Sequence, residues 1–186
     1  KLPGGLIHVN VVGCALIAAI SGSSAATVAT VGKMSIPELR KRRYPERILL
    51  GSLAGSGTLG LLIPPSIILI IYGVTVQESI AKLFIAGILP GIMIAAIFML
   101  YVVFWSLLNE KIMPKSYENF SFFQKIKKSK QLLPVIILIL AVIGSIYTGI
   151  ATATEAASLG VVGALVLSYF QKSLNFKTFK ESLLGA

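Results

Sequence analysis

The sequence predicts an all-α integral membrane protein with a re-entrant helical hairpin, a broken transmembrane helix and about three further spans. Three observations lead there. Hydrophobic residues fill 55% of the 186 positions in a count that leaves out the 17 glycines, and only 13% are charged, about half the roughly 25% of an ordinary soluble domain. Five intervals, 2–32, 48–77, 83–109, 131–154 and 156–171, hold no Lys, Arg, Asp or Glu and together take up 128 positions. A soluble fold of this length needs charged helix faces, whereas a bilayer core asks for about 20 consecutive apolar residues per helical span. Finally, the basic residues gather between those intervals, six in 33–47, six in 109–130 and three in the tail, as cytoplasmic loops do.

Composition also excludes chemistry. With no Asp, one His and one Cys, the chain cannot assemble a zinc site, a disulfide framework or a Ser/His/Asp triad, and it does not read as an enzyme. Cys14 lies in an apolar run and reads as a small buried hydrophobe. His8, after Pro3-Gly4-Gly5, reads as a satisfied polar side chain. The net charge of +10 sits between apolar spans and not on a separate polar domain, so nucleic acid is not a partner. There is no initiator Met and no signal-type sequence, and the chain reads as a piece of something longer.

Taken in order, 1–32 predicts the hairpin. Asn10–Ile20 is a short helix of about 16 Å, half of a roughly 30 Å hydrocarbon core. Ser21-Gly22-Ser23-Ser24 and the small residues to Thr30 then form a tip and a return helix. A single kinked span with a small-residue packing face is the other reading. Segment 33–47 follows as a basic cytoplasmic loop. Segment 48–74 is a broken transmembrane helix, because Gly51, Gly55, Gly57 and Gly60 precede Ile63-Pro64-Pro65-Ser66. Adjacent prolines remove two amide donors and hold Ile63 extended. Segment 80–108 is a span with Pro90-Gly91 as a kink and with Tyr101 and Trp105 near the cytoplasmic interface.

Segment 109–131 carries Tyr117, Phe120, Phe123 and Ile126 among lysines, as an amphipathic helix on the inner membrane surface or as a solvated basic loop. Segment 132–171 is a transmembrane pair turning at Thr148–Glu155. Glu155 is the one acid in that stretch, and an N-terminal helix charge beside Thr152 and Thr154 is the favoured reading for it. Segment 172–186 is a basic cytoplasmic tail in which Leu174, Phe176, Phe179 and Leu183 repeat the amphipathic spacing, with a solvated basic loop as the other reading here too.

The two breaks, Ser21–Ser24 and Gly55–Ser66, are rich in hydroxyls and glycines and hold no charge. Broken helices near the midplane offer free amides to anions and unwound carbonyls to Na⁺. Neutral oxygens without a carboxylate suit a weakly held monovalent cation better than Ca²⁺ or Mg²⁺. The combination implies a cation-coupled carrier. A non-transporting structural subunit would predict unbroken spans, and a channel component would predict charge rings or carbonyl filters around a symmetric pore.

The run Gly5-Leu6 to Asn10, Ile20-Ser21-Gly22-Ser23-Ser24-Ala25-Ala26, Gly32, Ile36-Pro37 and Gly57-Thr58-Leu59-Gly60-Leu61-Leu62-Ile63-Pro64-Pro65-Ser66 resembles the large membrane subunit of TRAP transporters (tripartite ATP-independent periplasmic transporters), the DctM-like family. Ala86-Gly87-Ile88-Leu89-Pro90-Gly91 and Gly149–Ala157 resemble later segments in the same order. Many relatives carry Asp near Thr27 and Pro where Ala153 stands. The resemblance implies an elevator-type Na⁺ symporter of the bacterial inner membrane, built from two inverted repeats, of which this chain holds the first hairpin and broken helix. It implies a small membrane (Q) subunit and a periplasmic solute-binding (P) protein as partners, surrounding lipids, and an organic acid, dicarboxylate- or sialic-acid-like, as substrate. On that reading Ser21, Gly22, Ser23, Gly57 and Thr58 bind Na⁺ as the coupling ion, with no other cofactor. Ser24, Pro65 and Ser66 face the substrate.

Overall fold

The computed structural model describes residues 2–114 and 133–185. The chain divides into two compact units, Lys1–Asn119 and Phe120–Ala186, and every regular element among the described residues is helical.

In the first unit, Gly4 and Gly5 take positive φ and turn the chain through Gly5–Ile7 into α1 (His8–Ser21). Helix α1 stops at Gly22, which is left-handed at φ 60° and donates its N–H to the Ala18 carbonyl; such a cap favours glycine, which has no Cβ to clash. Ser23 is extended, and its hydroxyl accepts from the Ala26 N–H at the start of α2 (Ser24–Lys41). Two residues thus link the helices, and a Cβ on Gly13 would lie 3.4 Å from Val31. Positions about equally far from the tip therefore meet, which makes α1 and α2 a helical hairpin.

The basic segment 33–47 is not a loop throughout. Helix α2 buries Thr27, Val31, Ser35 and Leu39 at four-residue spacing, and that stripe carries the helix past Pro37 to Lys41, leaving only 42–45 as the connection. Charges on the outer face mask this stripe in the sequence. Tyr44 closes the corner: it is buried, its N–H donates to the Leu39 carbonyl, and its hydroxyl accepts from the Leu6 N–H at 3.0 Å. Outside, Arg40 pairs with Glu46 at 2.7 Å and Arg42 with Glu38 at 2.6 Å. Hydrogen bonds from the arginines hold both carboxyls below their usual range. The pairs therefore contribute above that range and lose their contribution as pH falls through the lowered values, and salt screens them because they are exposed.

The next span is broken where the prolines and glycines put it. Helix α3 (Glu46–Gly57) tightens into the 3-10 turn Thr58–Leu61, passes through irregular 62–66 and resumes as α4 (Ile67–Val76). The two helices rise about 18 and 15 Å, each near half of a roughly 30 Å bilayer core. Ser79 then caps α5 (Ile80–Leu108), which runs 29 residues with Pro90 inside it.

The first unit closes on Ile7, Val11, Leu39, Tyr44, Ile48, Leu49 and Val102, with Cys14, Val31 and Leu53 as a second cluster. Cys14 is indeed a buried hydrophobe. His8 is buried too, with Nε2 donating to the Pro3 carbonyl at 2.7 Å and Nδ1 against the Met99 sulfur. Asn10 is fully buried; its amide donates to the Leu49 carbonyl at 3.1 Å and to Ser52 Oγ at 2.9 Å, tying α1 to α3.

In the second unit α6 (Leu133–Tyr147) packs on α7 (Ala153–Phe170), with Gly163 against the Leu138 side chain and Gly160 against Val142. Helix α8 (Phe176–Gly185) lies where the tail spacing set it. By length and composition α5 and α7 can cross a membrane, while α6 is shorter at 15 residues. The large outward side chains of α5, such as Leu89, Phe104 and Leu108, are exposed, as lipid-facing residues are. Of the amphipathic segment expected at 109–131, only 109–114 falls within the described residues, and Glu110–Ile112 there is a 3-10 turn.

Asn10→Ala removes both hydrogen bonds that join α1 to α3, at a cost of about 0.6–2 kcal/mol. The thermal midpoint of the complete permease in detergent should fall, and an unchanged midpoint would show that Asn10 is not a strut.

Candidate functional site

Both sequence breaks meet in space. The Gly22 carbonyl accepts from the Ile67 N–H at 3.3 Å, so the hairpin tip takes up the first amide of α4. A Cβ on Gly22 would stand 2.6 Å from the Pro65 carbonyl oxygen, and one on Gly60 would stand 2.8 Å from the Ser23 carbonyl and 2.9 Å from the Ser24 nitrogen. Real Cβ atoms do not approach backbone so closely, so the tip and the break touch main chain to main chain. A Cβ on Gly57 would overlap the Val28 side chain. From the other side, Gly87 and Gly91, one turn apart on α5, let that helix lie close to the break: a Cβ on Gly87 would stand 3.0 Å from the Leu62 carbonyl oxygen and one on Gly91 3.0 Å from the Ile63 side chain. The break is held between the tip and α5.

The side chains divide into two sets. Ser21 Oγ lies 3.0 Å from Thr27 Oγ1, donates to the Ser23 carbonyl at 3.3 Å and accepts from the Ser23 N–H. Thr27 is fully buried. These neutral oxygens form a compact group inside the tip, beside Gly22 and the backbone that contacts Gly60. Thr58 is exposed and its hydroxyl donates to the Gly55 carbonyl at 2.7 Å, leaving its lone pairs outward. Ser24 is half-buried at the first residue of α2. Ser66 is fully buried and turned inward, donating to the Leu61 carbonyl at 2.7 Å, so its hydroxyl fastens the break. Pro64 and Pro65 are joined by a cis peptide bond, and the Pro65 carbonyl faces Gly22.

Helices α2 and α4 both begin at this junction. Each N-terminus carries about half a positive charge from its aligned peptides, so the junction offers both carbonyl and hydroxyl oxygens to a cation and two helix N-termini to an anion. Sequence reasoning placed Gly60 in the break without giving it a contact, and it missed the roles of Thr27, Gly87 and Gly91. The four-residue spacing of the last two was a visible sign of close helix approach; nothing in the sequence tied Thr27 to Ser21.

Glu155 belongs to the second unit. Thr152 Oγ1 accepts from the Glu155 N–H at 3.3 Å, and Glu155 Oε2 accepts from the Thr152 N–H at 2.8 Å. The two residues form a reciprocal cap at the start of α7, which satisfies two orphan amides.

A family model described as "Tripartite ATP-independent periplasmic transporter, DctM component" matches residues 1–186. The chain is 37% identical over 167 residues to the C4-dicarboxylate TRAP transporter large permease protein DctM of Pseudomonas aeruginosa, covering 90% of this chain and 38% of that protein. It is 34% identical to the isethionate TRAP transporter permease protein DctMQ of Oleidesulfovibrio alaskensis, covering 100% of this chain and 29% of the relative. It is likewise 34% identical to the sialic acid TRAP transporter permease protein SiaT of Haemophilus influenzae, covering 98% and 29%. The chain thus spans well under half the length of these curated relatives.

Gly60→Ala should separate tip from break, lower the thermal midpoint of the complete permease and cut its uptake rate by tenfold or more, about 1.4 kcal/mol. Gly144→Ala, where a Cβ meets nothing within 4 Å, should leave uptake unchanged; equal behaviour of the two variants contradicts the close-contact reading. Glu155→Gln keeps an oxygen that can cap Thr152, and uptake should stay within about twofold. Lost uptake in a well-folded Glu155→Gln protein would give the carboxylate a transport role.

Proposed function

Since this chain belongs to the DctM component family of tripartite ATP-independent periplasmic transporters, we propose that it supplies one hairpin and one broken helix of the transport core in a large permease. The observation that carries the reading is the docking of Gly22–Ser24 into the break at Gly57–Ile67. A structural subunit has no need of such a break, and α3 and α4 are separated by nine residues that are not α-helical.

On this proposal α1 and α2 form a re-entrant hairpin in the bacterial inner membrane, entering from the side that carries the basic corner. One Na⁺ binds at the tip through Ser21 Oγ and the carbonyls of Gly22 and Ser23, with backbone oxygen near Gly57 and the Thr58 hydroxyl completing the shell. Every one of these ligands is neutral, which suits a cation that must leave again on each cycle. Coordination replaces contacts that now run within the tip, such as Ser21 with the Ser23 carbonyl, so ion binding and tip geometry are coupled.

The substrate is an organic acid. Its carboxylate meets the N-termini of α2 and α4, with Ser24 contributing its hydroxyl. Pro65 and Ser66 act through the backbone at the start of α4, since the Ser66 side chain is engaged with Leu61. The relatives' substrates, C4-dicarboxylate, isethionate and sialic acid by their names, are organic anions, carboxylates except for the sulfonate isethionate. No Lys or Arg lies in either break, so helix dipoles and the bound Na⁺ carry the positive charge. The whole permease works as an elevator-type symporter with a second, inverted hairpin and broken helix, a small membrane subunit and a periplasmic solute-binding protein.

Na⁺-driven uptake by the complete permease tests the ion site. Ser21→Ala and Thr58→Ala should each raise the half-saturating Na⁺ concentration about tenfold, the loss of roughly 1.4 kcal/mol of ligation. Ser23→Ala, whose ligand is a carbonyl, should change it less. Unchanged Na⁺ dependence in both Ser21→Ala and Thr58→Ala would sink the assignment.

A further inference from the structure

Away from the hairpin tip, α3 and α5 leave a groove of about 270 Å³ lined by Val11, Gly51, Ile97, Phe98, Tyr101 and Val102, with Ser52 at its floor. Its walls are almost wholly apolar. Gly51 is exposed, and a Cβ there would meet nothing within 4 Å, so the groove is open above the glycine.

The two helices are antiparallel at this point. Val102 shares a cluster with Ile48 and Leu49, while Phe98 contacts Gly55 further along. The basic corner at 42–47 therefore lies at the Tyr101 end of the groove, and Ile97 and Phe98 lie deeper. Arg47 is one helical turn from Gly51 on the same face of α3. Its charge is available. Arg40 and Arg42 are paired with Glu46 and Glu38, whereas the exposed Arg43 and Arg47 make no ion pair among the described residues.

We propose that this groove is a binding site for an anionic phospholipid of the inner leaflet. One acyl chain lies over Gly51 between Phe98 and Val102, and the phosphate rests on Arg47 and Arg43 with the Tyr101 hydroxyl at headgroup depth. An apolar slot headed by unpaired arginines and an interfacial tyrosine matches an amphipathic anion. A purely apolar protein helix would leave the arginines unused. The lipid would also fill the space at the joint between α3 and α5, the two helices that hold the break, and so stiffen the first unit.

Purified complete permease, stripped of lipid in detergent, is titrated with phosphatidylglycerol, with phosphatidylcholine and with inorganic phosphate while its thermal midpoint is read. Phosphatidylglycerol should raise the midpoint by several degrees; the other two should not. Arg47→Gln should weaken the half-saturating phosphatidylglycerol concentration about fivefold, as expected for one surface cation, Arg47→Lys should restore most of it, and Gly51→Leu should abolish the response. Should Gly51→Leu fail to fold, the Arg47 pair decides. A wild-type protein without the phosphatidylglycerol response, an equal response to phosphatidylcholine or phosphate, or a response that survives Arg47→Gln would overturn the proposal. Ion coupling is read separately by uptake, so failure here leaves the Na⁺ site untouched.

Discussion

Everything in the first unit hangs on a main-chain contact between a hairpin tip and a helix break. Side chains cannot make it. Gly22 and Gly60 meet the Pro65 and Ser23 carbonyls at distances that exclude a Cβ, and the Ile67 amide closes on the Gly22 carbonyl. The left-handed turn at Gly22 aims that carbonyl at α4. Ser23, extended, then starts α2. Local backbone geometry, helix capping and tertiary docking are in this way one arrangement, and a methyl group at either glycine disturbs all three.

Unwound backbone within apolar surroundings is costly unless each polar group finds a partner. The chain meets this need with short-range hydroxyl contacts: Ser66 with the Leu61 carbonyl, Thr58 with Gly55, Ser21 with Thr27 and Ser23. Asn10 and Ser52 do the same between α1 and α3. Hydroxyls suit the task because they both donate and accept. A fixed carboxylate at the same place would hold a cation more tightly and release it less readily. On the proposed Na⁺ site, chemistry and stability would draw on the same residues, so single-site variants near the tip are read by two observables, thermal midpoint and Na⁺ dependence.

Much of this was legible in the sequence because glycine, serine and proline are informative when they interrupt apolar runs. Ser21–Ser24 marked the turn, and Gly55–Ser66 marked the break to within a few residues. What was not legible came from three-dimensional proximity. Thr27 looked like one more small residue of the return helix, and its pairing with Ser21 depends on how the tip folds back. Gly87 and Gly91 looked like part of an ordinary kinked span, although they seat α5 on Leu62 and Ile63. Ser66 is expected to face the substrate, and its hydroxyl donates to the Leu61 carbonyl, a contact that no spacing in the sequence marks. The basic run 33–47 concealed a buried four-residue stripe, since outward charges dominate a composition count while the inward Ser35 and Leu39 decide the helix.

Hydrogen–deuterium exchange of the complete permease, in Na⁺ and in K⁺ at equal ionic strength, tests the docked tip most directly. If the tip and the break form one ion-linked unit, the amides of 20–30 and of 57–68 gain protection together, at the same Na⁺ concentration and not in K⁺. Protection that appears in one segment without the other, or equally in K⁺, would contradict the account.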